Sequence, residues 1–347
     1  MTPDFHFGLP VLVALGLAAA AISAILIVAL RPLLQRYALA RPNARSSHNM
    51  PTPQGAGIAV VAATLGIGGA YGATTGVAPP LMLLAAVAVI ALVGLIDDIR
   101  PIPVLPRLIL QGIAVGAVVF TTPGELRIIA ALPLGIERGL LLIAGLWFVN
   151  LVNFMDGLDL MTVAEAVPIT ATLAVLGMLG ALPGPATIIA ASLCGALLGF
   201  APFNRPVAKV FLGDVGSLPI GLLLGWCLLQ LGWSGHIAAA LLLPLYYLID
   251  ATFTLLRRML RREAFWAAHR THFYQRATDN GFTVRQVVSE VFSLNLVLAG
   301  LAGASLALGS AALDLLLLTA GAGAVTFVLR RFAEPRAGAP PVTSRRA

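Results

Sequence analysis

Residues 9–30 read LPVLVALGLAAAAISAILIVAL, and residues 31–45 continue as RPLLQRYALARPNAR. An apolar run of about 20 residues is long enough to cross a bilayer as one helix. No basic residue precedes this run, whereas Arg31 and Arg36 follow it closely. The pattern therefore predicts an uncleaved first membrane span with its N-terminus outside.

The rest of the chain has the same apolar character. Of its 347 residues, 59% are hydrophobic and 11% are charged, and the mean hydropathy is +0.94. This composition excludes a water-soluble globule and predicts an all-α integral membrane protein with about eleven transmembrane helices. The predicted spans are residues 9–30, 56–74, 80–96, 107–121, 138–153, 162–181, 185–201, 215–232, 237–256, 290–309 and 311–329.

The basic residues mark one side of this bundle. All but two of the 22 Lys and Arg residues fall on alternate inter-helix segments, and only Arg127 and Arg138 fall on the opposite side. The positive-inside rule makes the basic side cytoplasmic. We expect one transmembrane domain over 1–333 and a disordered cytoplasmic tail over 334–347. The pI near 10.2 then indicates membrane lipid and anionic substrates as partners, not nucleic acid.

Asp97 and Asp98 end the third predicted span, within AVIALVGLIDD. Acidic side chains at a helix C-terminus are mildly unfavourable. They are either solvated end charges or a functional pair, one a base and the other the neighbour of a cation, with the pKa of one raised by the other.

The segment NLVNFMDGLDL, residues 150–160, places Asn150, Asn153, Asp156 and Asp159 at intervals of three. This spacing puts polar groups on one helix face as the chain leaves the membrane. Such groups are costly at that depth without partners, which favours a binding site. The alternative is a cluster of hydrogen bonds between helices.

The segment FLGDVGS, residues 211–217, places Asp214 in a Gly-rich turn before the eighth span. Ser217 is a candidate cap for the following helix, and a helix N-terminus can bind an anion. An ordinary turn and cap would have the same sequence. Phe211 alone would be a headgroup anchor more often than a base-stacking platform.

The remaining candidates lie in two polar loops. His269, Arg270 and His272 in AHRTHFYQR can donate to a charged ligand, while zinc is disfavoured because no third ligand stands nearby. A basic patch for anionic lipid is the alternative for this loop. His48, in the Pro- and Gly-rich loop 40–59, would alone be an ordinary surface histidine.

Taken together, these clusters predict a cleft on the cytoplasmic side that binds Mg²⁺, or Mn²⁺, and phosphates. Carboxylates, amides and an Arg/His loop suit phosphoryl transfer, which depends on positioning and charge neutralisation. A catalytic site at the membrane implies that one substrate or product is a lipid.

The chain resembles the polyprenyl-phosphate N-acetylhexosamine-1-phosphate transferases, which include the phospho-MurNAc-pentapeptide translocase and the enzyme that initiates O-antigen. The resemblance covers about residues 40 to 285 and rests on ordered motifs: RPNARSSHNMPTPQGAG, GLIDDIRPIP, NLVNFMDGLDLMTVAEA, FNRPVAKVFLGDVGS and HRTHFYQ. The extended last motif, HRTHFYQRATDNGFT, is most similar to the O-antigen branch.

The resemblance implies transfer from a UDP-N-acetylhexosamine to undecaprenyl phosphate at a bacterial inner membrane, with release of UMP. Matched motif by motif, it implies three catalytic residues: Asp97 as base or lipid-phosphate activator, Asp98 beside it, and His272 in the loop that grips the diphosphate, with His269 and Arg270 nearby. It also implies Asn153 and Asp214 as metal ligands, Asp156 and Asp159 as sugar-nucleotide acids, and Asn204 and Phe211 at uridine. His48 lies in the first motif and is a further substrate-binding candidate.

Two departures from the family motifs bear on the identity of the sugar. Leu160 stands where the family commonly has the last glycine of DGxDG, and PTPQGAG replaces a run of three glycines. The sugar therefore stays open among N-acetylated hexosamines, as does a homodimer. A secondary transporter with intramembrane acids is the alternative from another class, and it predicts acids near mid-span.

Overall fold

A computed structural model describes residues 7–40, 51–263 and 269–336, and within them the protein is a helical bundle. The helices are α1 (Leu9–Tyr37), α2 (Gly57–Thr75), α3 (Leu81–Ile99), α4 (Val104–Phe120), α5 (Leu134–Met155), α6 (Met161–Met178), α7 (Gly184–Phe200), α8 (Asp214–Trp233), α9 (Ile237–Leu242), α10 (Leu245–Leu260), α11 (Phe273–Asp279), α12 (Val284–Leu308) and α13 (Ala311–Ala333).

Among the described residues, nine helices are long and apolar enough to cross a membrane. The helix α4 is apolar but shorter, at 17 residues. The expectation of an all-α membrane protein is thereby confirmed, whereas the count of eleven crossings and their orientation stay predictions. Proline precedes α3, α4, α5 and α7, where its fixed φ suits the start of a helix and its missing N–H costs no helical bond.

The ninth predicted span is broken. A continuous helix was expected over residues 237–256, but α9 ends at Leu242 and α10 begins at Leu245. Pro244 lies between them and supplies no N–H to continue the helical ladder. The single ninth helix was therefore a wrong prediction, and the break lies next to the fully buried Leu243.

The helix α8 forms the centre of the bundle. In the most apolar stretch of α8, 83% of the residues are buried. The corresponding shares are 28% in α1 and 22% in α13, which lie at the periphery. The exposed apolar side chains of the peripheral helices are what lipid contact requires. The motif FLGDVGS leads into α8, so Asp214 stands at the first turn of the central helix.

Glycines bring α2 and α3 into backbone contact with the start of α8. A Cβ added to Gly57 would lie 2.1 Å from Cα of Gly216. One added to Gly94 would lie 2.4 Å from the carbonyl carbon of Asp214. Small residues allow this close helix packing in membranes. It places the end of α3, with its two aspartates, directly beside the start of α8.

A small antiparallel sheet, unforeseen in the sequence, joins the polar end of α1 to this region. Its strands are β1 (Leu39–Ala40) and β2 (Thr52–Pro53), with Leu39 opposite Pro53. The predicted site residue His48 lies outside the described residues. So does most of the predicted tail, of which only 334–336 are described.

Candidate active site

Asp98 caps the central helix. Its Oδ1 accepts from the backbone N–H of Asp214 at 2.9 Å, and its Oδ2 accepts from Val215 at 3.1 Å. The first N–H groups of a helix lack intrahelical partners, and a carboxylate there also meets the positive end of the helix dipole. The cap of α8 therefore comes from another helix. The prediction that Ser217 caps α8 was wrong, since Ser217 lies within its first turn.

Asp97 has different partners from its neighbour. Its Oδ1 accepts from the backbone N–H of Ile102 at 2.7 Å, and its Oδ2 accepts from Nη1 of Arg107 at 2.8 Å. The same Nη1 lies 3.4 Å from Oδ2 of Asp214. Arg107 therefore bridges two acids at the site. From the sequence, Arg107 was predicted only as a cytoplasmic charge. Its position in the first turn of α4, four residues after the motif GLIDDIRPIP ends, could have indicated a place in the site.

Asn153 connects the end of α5 to the same point. Its Nδ2 donates to Oδ1 of Asp214 at 2.7 Å and to Oγ of Ser217 at 2.8 Å. Asp97, Asn153 and Asp214 thus meet through Arg107 and one direct hydrogen bond. Asn150, one turn earlier, is different: it donates to the buried Gln111 at 2.7 Å, so for Asn150 the interhelical alternative is correct.

The donor set suits a magnesium ion. Among the described residues no group of three or more His, Cys, Asp or Glu side chains is arranged to hold a metal. Mg²⁺ commonly needs only one or two protein oxygens, because waters and substrate phosphates supply the rest. Asp214 and the amide oxygen of Asn153 offer such a pair. The Arg107 guanidinium beside Asp214 shows that this carboxylate already attracts a cationic group.

Asp156 lies in the turn between α5 and α6, where its side chain is half-buried and bonded to the Thr162 hydroxyl. Burial raises the pKa of Asp156 to about 7. The negative charges of Asp214 and Asp159 add to the rise, whereas the hydrogen bond from Thr162 opposes it. The carboxylate of Asp156 thus lies within electrostatic range of Asp214, and its predicted contact with the sugar nucleotide stays a prediction.

Asp159 and Asn204 tie this turn to the loop before α8. Oδ2 of Asp159 accepts from the backbone N–H of Ala208 at 3.1 Å. Asn204 accepts from the N–H of Leu160 at 2.7 Å and donates to the carbonyl of Val210 at 2.9 Å. Both polar atoms of the Asn204 side chain are engaged by backbone, so its observed role is structural, and the predicted contact with uridine stays a prediction.

The segment PTPQGAG docks onto the loop that contains Phe211. Phe211 donates its N–H to the carbonyl of Pro53, and its own carbonyl accepts from Gly55 and Ala56. The Gln54 side chain donates to the carbonyl of Asp98 at 2.8 Å. The first motif therefore braces the site through its backbone and through the Gln54 side chain. The half-buried ring of Phe211 is placed at this site, and its stacking role stays a prediction.

The loop before α11 brings in the histidines. His272 is buried and lies next to the start of α11, with its ring centroid 5.0 Å from that of His269. Arg270 contacts Thr278 at 3.2 Å and Asp279 at 3.5 Å. The helix α11 is attached to the end of α5, because the Tyr274 hydroxyl donates to the carbonyl of Phe154 at 2.9 Å. All described candidates therefore belong to one end of the bundle.

Comparison with known proteins agrees with this architecture. The family described as glycosyl transferase family 4 matches residues 80–232, which run from the start of α3 to the end of α8. A decaprenyl-phosphate N-acetylglucosaminephosphotransferase of Mycobacterium tuberculosis is 29% identical, over 80% of this chain and 78% of the relative.

Two further relatives differ in the share of the chain that they match. A probable undecaprenyl-phosphate N-acetylglucosaminyl 1-phosphate transferase of Bacillus subtilis is 25% identical, over 80% of this chain and 81% of its own. A phospho-N-acetylmuramoyl-pentapeptide-transferase of Enterococcus faecalis is 38% identical, over 30% of this chain and 35% of its own. The apolar helices and these relatives together indicate a transmembrane transferase. The match over residues 80–232 and these relatives support the assignment of the chain to glycosyl transferase family 4.

Proposed function

We propose that this protein transfers an N-acetylhexosamine-1-phosphate from a UDP-sugar to undecaprenyl phosphate. An oxygen of the lipid phosphate forms a bond to the sugar-bearing phosphorus, the bond from that phosphorus to the UMP oxygen breaks, and UMP leaves. The products are UMP and undecaprenyl-diphospho-sugar. The observation that carries this proposal is the convergence of Asp97, Asn153 and Asp214 around the Arg107 guanidinium.

The residues of the site take the following proposed roles. Asp214 and Asn153 would hold Mg²⁺, with Mn²⁺ as a substitute, and the chemistry that such an ion would supply is neutralisation of charge on the diphosphate. Asp97 faces the lipid phosphate as base or activator, while Asp98 keeps the first turn of α8 in position. Further positions contact substrate: Asp156 and Asp159 at the sugar nucleotide, Asn204 and Phe211 at uridine, and His272, His269 and Arg270 at the diphosphate. His48 is proposed as a substrate-binding residue on the resemblance alone.

The relatives favour one sugar class over another. The two relatives named for N-acetylglucosamine match about four fifths of this chain, whereas the muramoyl-pentapeptide transferase matches under one third. UDP-N-acetylglucosamine is therefore the first donor to test. A muramoyl-pentapeptide donor is the second candidate because identity reaches 38% over its shorter match. Initiation of O-antigen or another envelope polysaccharide is the proposed setting.

The proposed location is the bacterial inner membrane, with the site on the cytoplasmic face. Arg31 and Arg36 lie at the end of α1 that leads into β1, and the site lies at this same end through the contacts of Gln54. Arg107 and Lys209 also belong to this end. The positive-inside rule supports a cytoplasmic assignment for an end of this charge.

A transporter is less well supported. Its coupling acids would lie near mid-span in two matched halves. Asp98 instead caps a helix, Asp97 pairs with Arg107 and Asp159 braces a loop, all at one end of the bundle. A further motif acid, Glu165, is buried in α6, where it accepts a hydrogen bond from Asn295 of α12. Substrate-dependent ion flux in proteoliposomes without UMP release would reverse this preference.

The test is UMP release by detergent-purified protein supplied with undecaprenyl phosphate, Mg²⁺ and a panel of UDP-sugars headed by UDP-N-acetylglucosamine. We expect release that EDTA abolishes and that Mn²⁺ partly restores, with mass spectrometry identifying the lipid product. Asp214→Asn should lose about 10²-fold or more in rate, the usual scale for removing a charge-stabilising group.

Asp314→Asn is the matched control, because Asp314 is an aspartate in the first turn of α13, whereas Arg330 and Arg331 end that helix on the site side. It should retain wild-type activity. A folded wild type that releases no UMP from any donor contradicts the proposed reaction. Full activity of Asp214→Asn contradicts only the metal assignment.

A further inference from the structure

Asp250 is a fully buried acid in α10, within the apolar sequence LYYLIDATFTLL. It belongs to none of the family motifs quoted from the sequence. A buried carboxylate is costly unless hydrogen bonds satisfy its oxygens. An ionisable residue in a membrane-embedded helix therefore calls for an identifiable partner.

The partners of Asp250 are the first N–H groups of α11. Its Oδ1 accepts from Phe273 at 3.0 Å, and its Oδ2 accepts from Tyr274 at 3.2 Å. The hydroxyls of Tyr246 and Thr254 donate to the same carboxylate, each at 3.3 Å. Asp250 thus caps α11 from a different helix, as Asp98 caps α8, and it fixes where the loop from residue 269 re-enters the bundle.

The same carboxylate faces His272. Oδ1 of Asp250 lies 3.5 Å from Nδ1 of His272, a buried ring nitrogen that has no hydrogen-bond partner among the described residues. A carboxylate on this side favours the tautomer with its proton on Nδ1, which leaves Nε2 for a ligand. Asp250 therefore binds the backbone directly after His272 and also lies beside the His272 ring.

The position of α11 is also coupled to the turn after α5. The Tyr274 hydroxyl donates to the carbonyl of Phe154, and a Cβ on Gly157 would lie 2.2 Å from that hydroxyl oxygen. No side chain fits between them. A shift of α11 would therefore reach the segment that carries Asn153 and Asp156.

We propose that Asp250 is a positioning residue: by capping α11 it holds His272 where its ring can meet the diphosphate of the donor. This inference rests on the proposed function, because it takes His272 to be the group that contacts the diphosphate. Asp250 itself is buried beneath His272 and α11 and acts through them.

The first experiment is a double-mutant cycle on UMP release. Asp250→Asn keeps the shape of the side chain but loses its charge, and Asn offers only one acceptor oxygen for the two N–H groups. We expect a fall in kcat of roughly 10- to 100-fold, the scale known for residues that orient a functional histidine. In the His272→Gln background, Asp250→Asn should lower kcat by less than about threefold, because the two residues act as one unit. Glu290→Gln, at an exposed ion pair with Arg331, is the control and should retain activity.

The second experiment follows the His272 ring by NMR and does not depend on catalytic activity. The chain has five histidines, so histidine-labelled protein gives few imidazole signals in NMR, and His272→Gln assigns the one of interest. Asp250→Asn should shift the Nδ1 and Nε2 resonances of His272, while Glu290→Gln should leave them in place. Unchanged His272 signals, or additive losses in the cycle, overturn the proposal.

The two readouts separate the inference from the proposed reaction. A wild type without UMP release contradicts the reaction, and the NMR comparison still decides whether Asp250 controls His272. Should Asp250→Asn fail to fold, Thr254→Val removes one hydroxyl donor to the same carboxylate. Its His272 signals should shift by a smaller amount, and signals identical to wild type would count against the proposal.

Discussion

Nη1 of Arg107 lies 3.4 Å from Oδ2 of Asp214, at the first turn of the central helix. The same nitrogen contacts Asp97 at 2.8 Å. An arginine thus neutralises two acids that, in the proposed enzyme, receive a metal and a lipid phosphate. A divalent cation that binds Asp214 must compete with this guanidinium or displace it.

Arg107→Gln should therefore strengthen metal binding while it weakens catalysis. Removal of a positive charge beside a metal ligand should tighten Mn²⁺ binding by several-fold to about tenfold, or up to about 1.4 kcal/mol. The rate of UMP release should fall, because Asp97 loses the partner that holds it. Paramagnetic resonance of Mn²⁺ measures the affinity. Arg107→Lys keeps the charge and should bind Mn²⁺ as wild type does; equal affinity in the Gln variant would show that Arg107 and the metal do not compete.

The raised pKa of Asp156 predicts a pH-dependent stability in the metal-free protein. The native pKa is about 7 and the ordinary value is 3.8, so the folded state binds this proton more tightly than the unfolded state. Its contribution is fully present below pH 4 and is lost as the pH rises toward 7, at up to about 1.4 kcal/mol per pH unit.

Asp156→Asn removes this titration. In EDTA, the midpoint of thermal unfolding should fall between pH 5 and pH 7 more in the wild type than in the variant. The two proteins should therefore differ most at the higher pH, with the Asn variant the more stable. Parallel midpoints across this range would mean that Asp156 is better solvated than its burial indicates.

At position 160, a glycine variant should be more stable than an alanine variant, which reverses the usual order. The φ of Leu160 is +62°, in the left-handed region, directly before α6. Glycine adopts this region freely, whereas other residues incur roughly 1–2 kcal/mol. Leu160→Gly and Leu160→Ala both lose the packing of the leucine, but the glycine variant should be more stable by about 1 kcal/mol. At the exposed Val175 of α6, alanine should instead be more stable than glycine by about 1 kcal/mol. Unfolding in denaturant compares the pairs, and the same order at both positions would contradict the strain at Leu160.

Gly57 should tolerate no side chain. An alanine Cβ there would meet the backbone of Gly216 at 2.1 Å and the carbonyl oxygen of Leu212 at 2.8 Å, so α2 would have to move away from α8. We expect a loss of about 3 kcal/mol or more, at the upper end of overpacking. Gly66→Ala in the same helix meets nothing within 4 Å and should be neutral or gain up to about 1 kcal/mol. Thermal unfolding in detergent measures both, and equal midpoints would argue against backbone contact at Gly57.

The distribution of apolar and basic residues determined much of this protein from sequence alone. Long apolar runs specify helices in a membrane, because only internally bonded backbone is tolerated there. The motif order also placed Asp97, Asn153 and Asp214 in one site, since they follow or precede spans at the same end. That prediction needed only the residue types, two aspartates and an asparagine, and no knowledge of their contacts.

Only the tertiary structure decided which role each of two adjacent residues has. Asp97 and Asp98 are adjacent in sequence, yet one pairs with Arg107 and the other caps α8, because successive side chains of a helix point about 100° apart. Neither Asp250 nor Arg107 belongs to a quoted motif. Asp250 contacts Phe273, 23 positions away in the chain, and Arg107 contacts Asp214, 107 positions away. Such contacts depend on how helices cross, and the crossings are set by backbone approaches such as Gly57 on Gly216, which the local sequence pattern does not specify.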